Sequence, residues 1–400
     1  MLTLEQARAA ILADIKPATV QQIVPLLQAH GRFAAAELRA QVDNPAFDNS
    51  AMDGYALSLS DLIAAQFKLP LQGAARCGDA PGKLTPGTTM RIFTGAPMPQ
   101  GADTIVIQED IKTEGAAIIF PKTAHARMYL RQRGEDFRRD DVLYGAGQKL
   151  SAFDVALLSS AGIAQVPVYK KARALVVATG DELVAPGTPL APGQIYESNR
   201  LATLLLLQEL GVDAVDGGTV RDEPAALREL LKSSADFDFV ITSGGASVGD
   251  HDLVKQVFAE IGEIKFWKAK IKPGKPIAFG RVGERTHFFA LPGNPVSSLV
   301  TFKLFVEPAI VTWYHAKYYF PELLATATHD FRRHAGRTEF LRARLLSERG
   351  KLLATALPGQ GSHMLKPIRE TNGFIRVEAE ADGFKQGETV MVVPLSTNFS

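Results

Sequence analysis

Asp238-Phe239-Val240-Ile241-Thr242-Ser243-Gly244-Gly245-Ala246-Ser247-Val248-Gly249-Asp250-His251-Asp252 (residues 238–252) decides the reading of the fold. Residues 237–242 read as an apolar strand, 243–250 as a glycine- and serine-rich turn, and 252–261 as a helix. A turn between a strand and a helix sits at the carboxyl end of the strand, where open α/β sheets bind their ligands. Glycine lets the backbone approach a ligand closely, and amide N–H groups at a helix N-terminus receive phosphate. Ser243 and Ser247 add hydroxyl donors to the backbone of Gly244, Gly245 and Gly249, so these five are candidate substrate-binding residues. The bland alternative is a tight turn capped by Asp250 or Asp252. The stretch is neither the dinucleotide fingerprint nor G-x-x-x-x-G-K-[ST], which excludes a standard P-loop.

Outward from this turn, the pattern alternates strand with helix. Strands are expected at 174–178, 212–220, near 264–271, 276–281 and 286–290, and helices at 199–210, 224–234 and 295–314. The repetition implies a doubly wound α/β domain with a parallel sheet covered on both faces, over 171–316. After residue 317 short alternating strands suggest a small C-terminal β-barrel or sandwich, 317–400. Thr3 to Gln6 has capping-box spacing ahead of a helix that Pro17 ends, and a second helix is expected over 23–29 with Gly31 beyond it. Residues 43–139 read as a β-rich insert, with short apolar strands between Gly and Pro. Ser151 to Asp154 opens a helix that closes at Gly162 and could fold back beside the N-terminal helices. Residues 1–42 and 140–170 would then form one discontinuous, elongated domain.

The 400 residues allow two to four domains, and 46% hydrophobic with 22% charged residues is the balance of a globular protein. A net charge of +1 gives no overall pull toward nucleic acid or anionic membrane, so anion binding must be local. Cys77 is the only cysteine, which rules out an intrachain disulfide and a thiolate metal cluster. The N-terminus lacks the basic-then-apolar pattern of a signal peptide, and no apolar run of the length of a membrane span stands out. The expected compartment is the cytoplasm.

Other segments carry candidate chemistry. On one continuous strand Lys268, Lys270 and Lys272 would share a face, either as a lysine-guarded edge or as an anion-binding stripe. Glu182 and Asp222 follow the first two strands of the α/β region, and with Asp252 these strand-end acids could converge. Oxygen-only ligands beside phosphates suit Mg²⁺, although each acid alone reads equally as a helix cap. Pro292-Gly293-Asn294-Pro295, with Ser297 just beyond, suits a rigid binding loop or a plain helix entry. In the insert, residues 47–55 (with Asp53), 93–96 (with Thr94) and 133–136 (with Asp136) are dense in turn-forming polar residues, and nothing in the sequence places them near the lysines. In the last domain Phe340, Arg342 and Arg344 alternate with Leu341, Ala343 and Leu345, so Arg342 is not expected in the barrel core. A glycine-framed turn at 359–363 carries Ser362, and by itself each of these segments reads as surface decoration.

Taken together and in this order, FDNSAMDGYA, FTGAPMPQGAD, RGEDF, ATGDEL, TSGGASVGDHD, KIKPGKP and LPGNPVSS resemble the MoeA family of molybdopterin molybdenumtransferases, relatives of the gephyrin E domain. The resemblance spans essentially the whole chain; TGDE and SGGxSVG are shared with smaller MogA-like proteins, while FDNSAMDGY and the C-terminal barrel favour the MoeA type. Asp250, where many members have Glu, and Ala46, where Pro is common, depart from the pattern without threatening it. The resemblance implies insertion of molybdenum from molybdate into adenylylated molybdopterin, with Mg²⁺-dependent release of AMP. It implies Glu182, Asp222 and Asp252 as acids for Mg²⁺ and the adenylate. Lys268 and Lys272 match the family's anion-binding lysines, and Arg342 and Ser362 the residues that receive molybdate. Asp53, Thr94 and Asp136 match positions that reach the site from the other subunit of an elongated homodimer. Transient contact with a MogA-like adenylyltransferase and with molybdoenzyme maturation factors is expected as well. The competing readings are a molybdopterin adenylyltransferase and a gephyrin-like scaffold. The second is weakened because the fused MogA-like domain and linker of such scaffolds are missing from the sequence.

Overall fold

The strand Arg173–Thr179 is buried from Ala174 onward and organises the largest part of the molecule. The computed structural model describes residues 1–221, 223–244, 257–258 and 260–395. In the central six-stranded sheet Asp213–Val220, Arg173–Thr179, Phe239–Ser243 and Thr286–Leu291 lie in that order and run parallel. Pro276–Val282 and Gly262–Lys268 follow, and Pro276–Val282 runs against both of its neighbours. The expected wholly parallel sheet is therefore mixed. The reason is local: only residues 283–285 separate Pro276–Val282 from Thr286–Leu291, and so short a connection can join only antiparallel strands.

Alternate side chains of the central strand serve two cores, as period two requires. Ala174 and Val176 join a core with Leu204, Leu207, Val296 and Val300, whereas Leu175 and Val177 pack with Leu227, Leu231, Val257 and Phe258. The helices Asn199–Glu209 and Pro224–Lys232 confirm two of the expected elements. The third expected helix, 295–314, is continuous from Pro295 to Trp313 but passes through a π-helical turn, Phe302–Val306. This helix is also a correction. At 19 residues and a mean hydropathy of 1.3 it is long and apolar enough to cross a membrane, but 72% of its 18-residue apolar window is buried inside the protein, where it serves as a core helix. The helix expected at 252–261 lies mostly outside the described residues.

The reciprocal capping boxes at Thr3/Gln6 and Ser151/Asp154 are formed, starting Leu4–Asp14 and Ala152–Ser160. The expected helix at 23–29 is instead the strand Gln21–Pro25 followed by the 3-10 turn Leu26–Ala29. The strand forms because it pairs antiparallel with Gln165–Tyr169, a partner remote in sequence. Residues 24–40 and 137–168 share one core, which includes Val24, Leu38, Leu158 and Val166. The first helix does not lie in that core; Leu4, Ala7 and Ile11 pack into the α/β core, and Asp14 pairs with Arg281 at 3.0 Å. The insert forms its own six-stranded sheet, ordered Thr104–Ile107, Gly54–Leu57, Thr89–Ile92, Lys68–Ala75, Ala117–Ile119, Lys112–Glu114.

In the C-terminal region Thr338–Glu348, Lys351–Ala356, Leu323–Ala327, Thr389–Pro394 and Gly373–Val377 pair in turn, and the last pairs again with the first, closing a five-stranded barrel. Leu341, Ala343 and Leu345 fill the barrel, as the alternation predicts. The opposite face of that strand is not solvent. Phe340, Phe374 and Val393 pack with Val296, Val300 and Phe302 of the α/β core, so the barrel wall is shared between two cores.

Candidate active site

The cleft lies where three parallel strands end. Gly244 closes the end of Phe239–Ser243; its N–H donates to the carbonyl of Leu291 at 3.1 Å, tying that end to the neighbouring strand. Its φ is +96°, and a Cβ there would meet the carbonyl oxygen of Thr179 at 2.4 Å. The position therefore requires glycine both for conformation and for space. The result is a cleft of about 680 Å³ lined by Thr179, Gly180, Glu182, Ser243, Gly244, Pro292, Gly293, Asn294, Pro295 and Ser297, among others. Nine of the proposed site residues thus form its wall or neighbour it: Glu182, Ser243, Gly244 and the 292–297 turn line it directly, and the carbonyl of Ser362 accepts the Val296 N–H at 3.0 Å. Ser243 and Ser297 are almost fully buried in that wall. Asp222, Gly245, Ser247, Gly249 and Asp252 lie outside the described residues.

Several cleft residues carry no signal that the sequence reading used. Ile195–Tyr196 pairs with Leu183–Val184, and the backbone bonds Ile195 N–H to Glu182 O and Glu197 N–H to Val184 O, both 2.9 Å, fold residues 195–199 over the cleft. Tyr196, Glu197 and Asn199 line it in consequence. Asn199 Nδ2 donates to the Gly293 carbonyl at 2.7 Å and so braces the proline-framed turn. Glu197 is 3% exposed and accepts the N–H of Arg200, whose guanidinium also pairs with Asp216. His363 and Leu365 come from the barrel side. The turn at 359–363 is therefore no surface decoration.

Among the described residues Arg342 is the largest fully buried side chain, at 1% exposure. Its guanidinium donates to the carbonyls of Met364 (2.6 Å), Gly361 (3.1 Å) and Gly359, while Gln360 exchanges hydrogen bonds with the Arg342 backbone. Burial pulls its pKa down from the ordinary arginine value. Arg342 is outside the barrel core, as the alternation predicts, but it is not on the surface: it lies behind the turn that carries Ser362 and faces a second cavity, of about 250 Å³, with Phe302, Lys303 and Phe374.

The three lysines do not share one uninterrupted strand. Gly262–Lys268 ends where Leu2 pairs with Ala269, its N–H donating to Lys268 O and its carbonyl accepting from Lys270 N. The chain then joins the barrel as Ile271–Lys272, parallel to Thr338–Glu348. Lys272 Nζ lies 2.8 Å from Glu339 Oε1, a buried carboxylate that also faces Arg333 at 3.4 Å. Neither Lys268 nor Lys272 lines the cleft; both lie along the junction between sheet and barrel.

The insert motifs form a separate cluster. Thr94 donates from both N–H (2.8 Å) and hydroxyl (2.9 Å) to Asp53 Oδ1. The backbone bond from Thr94, more than the side-chain bond, lowers the Asp53 pKa below the usual carboxylate range. Asn44 Nδ2 donates to Asp136 Oδ2 at 2.9 Å, and Asp48 accepts from Arg133 N–H while its carbonyl accepts from Met98 N–H. Three loops, around residues 44–53, 94–98 and 129–137, are thereby stitched together. No described insert residue lines the cleft.

Among the described residues no group of three His, Cys, Asp or Glu side chains is placed to hold a metal ion. Of the three acids assigned to Mg²⁺, Glu182 is described and stands at the cleft. Magnesium commonly binds through one or two carboxylates plus substrate phosphates and water, and such a donor set is compatible with that placement.

Comparison with known proteins agrees along the whole chain. Residues 2–162 match the family model described as MoeA N-terminal region (domain I and II), 175–312 the probable molybdopterin binding domain, and 325–395 the MoeA C-terminal region (domain IV). The chain is 38% identical over 402 residues to a molybdopterin molybdenumtransferase of Haemophilus influenzae, with 99% of each chain covered. It is 32% identical to the Bacillus subtilis protein of the same name, over 90% of this chain and 87% of that one. A crystal structure of the molybdopterin biosynthesis MoeA protein from Pyrococcus horikoshii superposes with a TM-score of 0.84 at 27% identity, covering 98% of this chain and 100% of that one.

Proposed function

The chain belongs to the MoeA family of molybdopterin molybdenumtransferases, enzymes of molybdenum cofactor biosynthesis, and on that premise we propose that it inserts molybdenum from molybdate into adenylylated molybdopterin with Mg²⁺-dependent release of AMP. The observation that carries this reading is the strand-end cleft, where Ser243 and Gly244, the proline-framed turn and Glu182 meet the barrel turn of Ser362 and His363. Backbone N–H groups and serine hydroxyls at strand ends suit a pyrophosphate, and the cleft is large enough for a nucleotide-sized substrate.

Ser243 and Gly244 line the part of the cleft that takes the pyrophosphate region, the family resemblance adds Gly245, Ser247 and Gly249 to that cradle, and the 292–297 turn, braced by Asn199, closes the opposite wall. Lys268 and Lys272, at the junction, neutralise charge on the anionic substrates. Glu182 with Asp222 and Asp252 would hold Mg²⁺, which when bound withdraws charge from the phosphate being cleaved. The metal being inserted prefers sulfur ligands, and the protein supplies a single cysteine, Cys77, so the thiolates come from the pterin. Molybdate is a tetrahedral dianion and is received at the Ser362 turn, which Arg342 fixes through three carbonyls.

Asp53, Thr94 and Asp136 do not line the cleft of their own chain. In our reading the active unit is a homodimer in the cytoplasm, and the partner subunit's Asp53, Thr94 and Asp136 complete the site. The test is to mix inactive Asp53→Ala and Glu182→Ala proteins under exchange conditions and measure pterin-bound molybdenum. Random pairing regenerates one intact site in half of the dimers, so about one quarter of parental activity should return. No recovery after verified exchange would sink the shared site, and failure of the parent to load molybdenum would sink the reaction.

A further inference from the structure

Another cavity, distinct from the one beside Arg342, lies at the opposite end of the central sheet. Arg173 opens the strand Arg173–Thr179 there, while Thr179 at its far end lines the cleft, so the two sites are about 20 Å apart at ~3.3 Å per residue. This cavity, of about 430 Å³, is lined by Lys16, Lys170, Lys171, Arg173 and Arg285, with Asp236, Asp238, Phe237 and Trp313. Five cations thus face two acids, in a chain whose net charge is only +1.

One of the acids, Asp238, and two of the cations are already engaged. Asp238 accepts the Arg173 N–H at 2.8 Å, and its partial burial raises its pKa. The Arg173 guanidinium lies over the Phe237 ring at 4.7 Å and donates from Nη1 to the Asp236 carbonyl, and Lys16 Nζ donates to the Glu284 carbonyl at 2.8 Å. Lys171 and Arg285 make no ion pair with any described residue, and Lys170 acts on Asp238 only through its charge, without a direct contact. Like charges gathered in a concave, low-dielectric wall repel one another and raise the local potential for an anion. An edge strand guarded by lysine does not explain them, because they come from three separated segments and converge on one hollow.

We propose that this hollow is a second anion site, for a small phosphate-bearing ligand of the size of pyrophosphate or a nucleoside monophosphate. Its volume exceeds a single tetrahedral oxyanion and falls within the range of small-molecule sites. The fork of Arg285 and the ammonium groups of Lys170 and Lys171 supply the donors, and the apolar faces of Phe237 and Trp313 form the floor.

The site is independent of the cleft, and its test keeps the two apart. Pyrophosphate and AMP are titrated separately by calorimetry at low salt into the parent, into Lys171→Glu/Arg285→Glu, and into Lys272→Ala, the variant of the proposed substrate site. Lys272 stands at the sheet–barrel junction rather than in the cleft wall and reports on the proposed substrate site through its charge; all the altered side chains are exposed or half-exposed, and thermal melting checks that each variant folds. The expected result is a pyrophosphate event that survives in Lys272→Ala and weakens at least tenfold in the double reversal. The AMP arm shows whether a nucleoside is also accepted. If pyrophosphate binds only through a site removed by Lys272→Ala, is unaffected by the double reversal, or does not bind at all, the proposal is wrong.

Discussion

Replacing Arg342 by Met removes the guanidinium while nearly keeping its volume. Three carbonyls, of Gly359, Gly361 and Met364, lose their donor at once. A hydrogen bond from a charged group contributes about 1.5–3 kcal/mol, but these carbonyls sit in a turn that water can partly reach, and the cost of burying the charge disappears with it. The net loss should be about 2–4 kcal/mol, expressed locally in residues 359–364 rather than as global unfolding. Hydrogen exchange should show faster exchange for the amides of that turn, including Met364 N–H, and for Val296 N–H, which donates to Ser362 O. Insertion should fall at least tenfold, because the Ser362 turn no longer holds its place on the cleft wall. Arg342→Lys should not rescue fully: one compact ammonium cannot span three carbonyls as the planar fork does. Unchanged exchange in 359–364 together with parental turnover in Arg342→Met would refute the reasoning.

Three further outcomes can be checked. Burial, ahead of the nearby Arg281 and Lys16 charges, depresses the His287 pKa from 6.5 to about 4, and its Nε2 accepts the Lys16 N–H. The unfolded state therefore binds the proton first, and stability falls as pH drops from about 6.5 toward 4, by about 2 kcal/mol at pH 5. In His287→Gln the difference between urea stabilities at pH 7 and pH 5 should shrink by that amount; parallel pH profiles would contradict it. Asn199→Ala loses the 2.7 Å bond to Gly293 O, worth about 0.5–1.5 kcal/mol, and should raise the substrate KM while leaving Tm within a few degrees. Lys272→Ala leaves Glu339 facing Arg333, so folding should be nearly intact while insertion is lost; a wild-type rate would remove Lys272 from the site.

What the sequence made legible was local. The apolar runs at 174–178 and 237–242, the glycine turn and the two capping boxes state their structure within a few residues, and all but the undescribed part of the turn appear as read. What escaped was set by partners far along the chain. Residues 23–29 look helical by spacing, but Gln165–Tyr169 supplies a strand partner that no local pattern reveals. The lysine strand breaks at Ala269 because Leu2, at the other end of the chain, pairs there. The alternation at 340–345 correctly separates two faces, yet cannot tell that the outer face of the barrel is covered by the α/β core and that Arg342 is consequently buried. Tyr196, Glu197 and Asn199 reach the cleft only because a two-residue ladder folds their loop over it. The cleft itself was readable where it is built from strand ends and unreadable where the barrel and the 195–199 loop complete it.

The central claim is that cleavage of the adenylate in the strand-end cleft is coupled to molybdenum insertion. AMP release from adenylylated molybdopterin should be measured with Mg²⁺ present, with and without molybdate, in the parent and in Ser297→Ala. AMP should appear at a substantial rate only when molybdate is added, in step with molybdenum bound to the pterin, and the variant should lose both together. Equal AMP release without molybdate would contradict the account.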